Sequence, residues 1–192
     1  MEKNQVKIVI VGGSAGSLEV LLKVLPCLKP LETFALVLVL HRKKGDDAAL
    51  EELIALKTDI LVKEVEDKTP LLPGCIYIAP SDYHMLFETD RSISLDVSEK
   101  INYSRPSIDV SFTSAASAYG AEVVGILLSG ANSDGTEGLR AIKEAGGTIA
   151  IQNPETAAVP FMPSNAIENL EADRILDTVQ LLDFINSINY QH

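Results

Sequence analysis

The 192-residue chain carries 27 acidic against 16 basic side chains, a formal charge of −11, with 46% hydrophobic and 22% charged residues. That is a globular composition with enough apolar material for one sizeable core, so a single domain over residues 1–192 is expected. It argues against a nucleic-acid binder, because neutralising phosphates takes clustered Lys and Arg, and the one basic run, Arg42-Lys43-Lys44, is too short.

The chain opens with the apolar run VKIVIV at 6–11, which predicts a buried strand, followed by helical spacing through Leu18, Leu21, Leu22 and Leu25. ALVLVL at 35–40 predicts a second strand and DDAALEELIALK at 46–57 a second helix. Continuous apolar strands between amphipathic helices are the pattern of a parallel sheet covered on both faces. The middle of the chain differs. GCIYIAP at 74–80, HMLFET and SISLDV are short runs between polar turns and read as an antiparallel excursion. Ser107 is placed as the N-cap of a helix over IDVSFTSAASAY, and VVGILLS at 123–129 as the next strand. The helix GLRAIKEAG stops at Gly146-Gly147, TIAIQ is a further strand, Pro163-Ser164 starts a short helix, and DTVQLLDFINSI closes the chain as another. The expected fold is α/β, a doubly wound, mainly parallel sheet with a small antiparallel insertion.

Other classes are disfavoured. Cys27 and Cys75 stand alone, outside any CxxC or Cys/His spacing, so neither a disulfide nor a metal site is expected, and no cofactor motif is present. The longest apolar run, at 34–40, falls far short of the roughly 20 residues of a membrane helix, and no signal peptide is read at the start. A cytoplasmic location without membrane insertion is expected.

In open α/β sheets, working groups collect at the C-terminal ends of strands. Three predicted strand ends carry such groups: Ser14 within Gly12-Gly13-Ser14-Ala15-Gly16, His41 directly after LVLVL, and Asp134 within SGANSDG. A serine hydroxyl needs a base to become a nucleophile, a neutral imidazole supplies one near pH 7, and a carboxylate fixes the imidazole tautomer. N–H groups at the start of the following helix point toward a developing oxyanion. Residues 12–16 fit G-x-S-x-G, yet the chain order Ser, His, Asp differs from the Ser, Asp/Glu, His order of α/β-hydrolases, which disfavours that fold. Each residue also has a plainer role: Ser14 as a small turn residue, His41 as a hydrogen-bonded strand-end histidine, Asp134 as an N-cap or Asx-turn before the next helix. GGSAGS lacks dinucleotide-binding spacing, and NSDGTEG is wrongly spaced for a calcium loop. His84 and His192 compete with His41 for the part of base, with a structural role favoured for His84.

VGGSAGSLEVLLKVL, LVLVLH, PLLPGCIYIAPSDYHMLFE, RPSIDVSFTSAASAYG and GILLSGANSDGTEGLRAIKEAGGTIAIQNPETAAVPFMPSNAI together resemble, in order and over nearly the whole chain, the catalytic domain of the CheB family of chemoreceptor methylesterases. The resemblance implies hydrolysis of glutamyl γ-methyl esters on chemoreceptor cytoplasmic helices, and deamidation of glutamines. Ser14 is then the nucleophile, His41 the base and Asp134 its orienter, with backbone N–H groups of Ala15 and Ala131 facing the oxyanion and Arg105 at the substrate rim. The chain departs from the family at Gly16-Ser17 in place of Gly-Gly, at Ala131 in place of Met, and at Arg42-Lys43-Lys44-Gly45 in place of an apolar segment. These departures leave an alternative reading, a CheB-like module that binds a partner without turnover. The family's N-terminal receiver domain is expected to be absent, so control would come from elsewhere; a methyltransferase or a separate receiver or sensor protein are the partners this suggests.

Overall fold

The computed structural model describes residues 8–42 and 47–190. The chain runs β1 (Ile8–Gly13), α1 (Ser17–Val24), β2 (Ala35–Leu40), α2 (Asp47–Ala55), β3 (Leu61–Glu64), β4 (Thr69–Pro70), β5 (Cys75–Ile78), β6 (His84–Phe87), β7 (Ser92–Asp96), α3 (Ile108–Tyr119), β8 (Val123–Leu127), α4 (Thr136–Glu144), β9 (Thr148–Gln152), α5 (Phe161–Asn169), β10 (Arg174–Leu176) and α6 (Thr178–Ser187). A seven-stranded sheet in the order β10-β9-β8-β1-β2-β5-β3 is parallel throughout, and β4-β7-β6 form a separate antiparallel sheet. This is the doubly wound α/β architecture with a small antiparallel insertion. Among the described residues no helix is long and apolar enough to cross a membrane.

Every residue of β1, β2, β5 and β8 is buried, because these strands are covered on both faces. Their alternate side chains feed two cores. One contains Val9, Leu36, Leu38 and Ile126 with Leu21 and Val24 of α1 and Leu181 and Ile185 of α6. The other contains Ile8, Val37 and Leu127 with Phe112 of α3, Leu139 and Ile142 of α4 and Met162 of α5. The chain therefore leaves β1 toward one face and β8, its neighbour, toward the other. That reversal makes the C-terminal ends of β1 and β8 a topological switch point, where α/β sheets form crevices.

The structure corrects one expectation, at 74–80. A short run between polar turns groups this segment with the antiparallel excursion, yet it forms β5, a strand of the large sheet pairing in parallel with β2 and β3. Its four buried residues, CIYI, are the mark of a strand covered on both faces. Edge strands β3 and β10 have no counterpart among the predicted elements because they are short and partly exposed, so neither shows a continuous apolar run.

Glycines let α3 and α4 come close together. A Cβ on Gly138 in α4 would lie 2.5 Å from Phe112 Cβ and 3.1 Å from Asp109 Cα. Gly→Ala in an exposed helix gains about 1 kcal/mol. Gly138→Ala should instead destabilise the protein by about 1–3 kcal/mol through overpacking, as measured by urea unfolding; a stabilised variant would show that the two helices are not held this tightly.

Candidate active site

Ser14 follows β1 directly and sits in the turn that enters α1. Its N–H donates to Ser129 O at 2.9 Å, tying the turn to the segment after β8. Its carbonyl accepts from the Ser17 N–H at 3.1 Å and from Ser17 Oγ at 2.5 Å. Ser17, in place of a second glycine, thus closes the turn with its own side chain. Gly16 has φ of +83°, and a Cβ there would meet Ala158 Cβ and Ser129 Oγ at 2.7 Å, so a side chain is excluded on both counts.

His41 follows β2, the parallel neighbour of β1, and its N–H donates to Gly13 O at 3.0 Å. Its Nε2 lies 2.7 Å from Asp134 Oδ2, with the Asp134 side chain fully buried. An ionised carboxylate only accepts, so Nε2 carries the proton and Nδ1 is left as the basic nitrogen. Ser14 and His41 line one cavity of about 280 Å³, whose apolar wall includes Leu18, Leu50 and Leu53. Among the described residues Ser14 Oγ makes no hydrogen bond to the His41 ring, a separation that substrate binding commonly closes.

Asp134 is anchored from α3, a segment distant in sequence. Oδ2 also accepts from the Ile108 N–H at 2.7 Å, while Oδ1 accepts from the Asp109 N–H at 2.9 Å, Ser107 Oγ at 3.1 Å and Asn102 Nδ2 at 3.3 Å. The carboxylate thus occupies the N-terminus of α3, where free N–H groups and the helix dipole favour a negative charge. Burial pushes its pKa up, but the His41 hydrogen bond, the Asp109 and Ile108 N–H groups and the charge His41 carries when protonated together hold it below the ordinary carboxylate value.

Asp109 returns the arrangement. Its Oδ1 accepts from Gly135 N at 2.9 Å and Gly138 N at 2.7 Å, closing the N-terminus of α4. Burial, reinforced by the Asp134 charge, outweighs these N–H contacts and raises Asp109 to about 6. Arg105-Pro106-Ser107 with Asp109 matches the pattern of the family the chain resembles, but the sequence assigns neither this carboxylate nor Asn102 a part in the site. The available signal, an acidic residue in the first turn of a helix capped by Ser107, is common to many helices.

The remaining expected site residues fall as follows. Gly130, the residue before Ala131, lies beside Ser14: a Cβ on it would come 3.0 Å from Ser14 Cβ. The loop is pinned there without a methionine at 131, since Gly130 N donates to Val159 O and Gly130 O accepts from Met162 N. Among the described residues the Ala15 and Ala131 N–H groups have no acceptor. Arg105, expected at the substrate rim, is outside the lining of the cavity. Its guanidinium is committed to Val97 O, Ser98 O and Asp82, which fastens the loop ahead of α3. Arg42 turns inward to Ala79 O and Glu64, while Lys43, Lys44 and Gly45 lie outside the described residues, as does His192. His84 is buried between Glu99 O and the Ser107 N–H, away from the cavity.

The family model described as CheB methylesterase matches residues 9–185. A Leptospira interrogans protein provisionally named protein-glutamate methylesterase/protein-glutamine glutaminase is 37% identical over 175 residues, 91% of either chain. The protein-glutamate methylesterase/protein-glutamine glutaminase of Thermotoga maritima is 33% identical over 178 residues, which make up 91% of this chain and 52% of that one. The crystal structure of the Thermotoga maritima CheB methylesterase catalytic domain matches with a TM-score of 0.91 at 32% identity, covering 96% of this chain and 99% of that one.

The raised Asp109 carboxyl has a consequence for stability. Between its ordinary 3.8 and about 6, the folded protein keeps a proton there that the unfolded chain releases. The stability this group contributes is therefore complete below the ordinary value and is lost as pH rises through about 6. Melting curves of Asp109→Asn and wild type should show the variant gaining on wild type as pH rises from 4 to 7; a difference constant across that window would contradict the raised value.

Proposed function

The chain belongs to the CheB methylesterase family, and we propose that it hydrolyses glutamate γ-methyl esters on the cytoplasmic helices of chemoreceptors through Ser14, His41 and Asp134. The observation that carries this reading is the buried Asp134 carboxylate on His41 Nε2, with Ser14 and His41 lining the same cavity. On substrate binding, His41 Nδ1 accepts the proton of Ser14 Oγ as the oxygen attacks the ester carbonyl carbon. Asp134 stabilises the resulting imidazolium without itself becoming protonated. The Ala15 and Ala131 N–H groups donate to the oxyanion, each such donor being worth about 10²–10³ in rate.

Collapse of the tetrahedral intermediate breaks the bond to the methoxy oxygen, which takes the proton from His41 and leaves as methanol. Water, deprotonated by the same imidazole, then attacks the acyl-enzyme, freeing the glutamate carboxylate and restoring Ser14. A glutamine amide follows the same course with ammonia as leaving group. A cavity of about 280 Å³ lies just under the range of roughly 300–1,000 Å³ typical of drug-sized ligands, which suits one inserted side chain of a protein whose remainder stays outside.

The decisive measurement is methanol release from methyl-labelled receptor membranes. Ser14→Ala should reduce the rate at least about a thousandfold and Asp134→Asn by about 10⁴ through loss of the correct tautomer. Equal release by wild type and Ser14→Ala, or none by either, would refute the assignment for this substrate and favour a binding module.

A further inference from the structure

The mechanism above uses one carboxylate, yet the site holds two. Asp109 sits on α3 one residue beyond Ile108, and its backbone N–H supports Asp134 Oδ1 at 2.9 Å. Its side chain meanwhile holds Gly135, the residue after Asp134, and Gly138. The same residue thus grips the Asp134 carboxylate through its backbone N–H and, through its side chain, the backbone that follows Asp134. Between the carboxylates lies Asn102, whose Nδ2 is 3.0 Å from Asp109 Oδ2 and 3.3 Å from Asp134 Oδ1. Both neighbours are acceptors, which fixes the amide with its nitrogen inward, one hydrogen toward each.

Asn102 is itself delivered by a tight turn. Ile101 and Ser104 exchange backbone hydrogen bonds of 3.2 and 2.9 Å, with Asn102 and Tyr103 between them at φ of +51° and +62°. Asparagine tolerates that left-handed conformation better than most residues, and here its amide also separates two like charges. Among the described residues the titratable groups hydrogen-bonded into this cluster are His41 from the end of β2, Asp134 from the β8–α4 loop and Asp109 itself, with His84 of β6 behind Ser107.

We propose that Asp109 is a positioning residue of the hydrolytic site, holding the Asp134–His41 pair through the Gly135 and Gly138 N–H groups on one side and the Asn102 amide on the other. The proposal rests on the hydrolytic reading above and extends it. Asp109 touches no reacting atom. It fixes where Asp134 stands, and its charge and the Asn102 amide act on Asp134 in opposite senses. A nearby anion makes Asp134 a stronger acceptor for the His41 proton, whereas an amide hydrogen on Oδ1 makes it a weaker one.

Two variants read this out. Asp109→Asn keeps an oxygen for Gly135 and Gly138 but removes the charge and the Oδ2 acceptor of Asn102; Asn102→Gly keeps the left-handed turn but removes the amide. Asp109→Asn should lower kcat for methanol release by about tenfold with KM within about twofold, as loss of an outer support of a catalytic group does. In proton NMR the His41 Nε2–H resonance should move upfield in Asp109→Asn and downfield in Asn102→Gly. A purely structural cap would not produce opposite shifts. Wild-type kcat in Asp109→Asn, a change confined to KM, or two shifts in the same direction or absent would overturn the proposal. If wild type releases no methanol, the substrate reading fails, and the paired NMR shifts alone decide whether Asp109 positions the pair.

Discussion

Two carboxylates exchanged between two helix N-termini hold this site together. Asp134, at the head of α4, places its side chain on the free N–H groups of α3, and Asp109, in the first turn of α3, places its own on those of α4. Burying a single carboxylate is costly unless hydrogen bonds and positive potential replace the lost water. Here each helix supplies N–H groups to the other's acid, which together with His41 outweigh burial at Asp134 and offset it only in part at Asp109. The exchange fixes α3 against α4 and allows an ionised Asp134 to sit behind a histidine. It also requires close approach of the helices, which the missing side chains at Gly135 and Gly138 permit.

Sheet topology supplies the other half. β1 lies between β8 and β2, so the turns leaving all three emerge side by side, one with Ser14, one with His41 and one with Asp134. Backbone contacts then lock these turns together: Ser14 to Ser129, and His41 to Gly13. Gly130 is wedged between Met162 and Ser14, where a Cβ would collide with Met162 Cε and lie 3.0 Å from Ser14 Cβ. The anchoring of Gly130 by Val159 and Met162 shows how the loop keeps its course with only alanine at 131.

The plainer reading of Asp134 as a helix cap proves half right in an instructive way. Its carboxylate does accept helix N–H groups, but those of α3 and not of the helix it precedes. Its own N–H is met by Asn132 Oδ1 at 3.1 Å, so the side chain that makes the local turn is that of Asn132 and not that of Asp134. Capping and orienting His41 are therefore compatible, since the two lone-pair-bearing oxygens serve both partners. For His84 the plainer reading holds, because both ring nitrogens are engaged by backbone groups in the core.

Local physics makes much of this legible from the chain alone. Strands covered on both faces must be continuously apolar, helices must be amphipathic, and polar residues that interrupt this pattern at strand ends stand out, as Ser14, His41 and Asp134 do. What depends on long-range pairing is not legible. Nothing local to β5 reveals that its partners are β2 and β3, and edge strands β3 and β10 lack a signal because one side of each faces solvent. Asn102 and Asp109 look like an ordinary turn residue and an ordinary first-turn acid. Only the tertiary structure, by crossing two helix ends, brings them to the same carboxylate, because a hydrogen bond between residues 25 or more apart leaves no periodicity in the sequence.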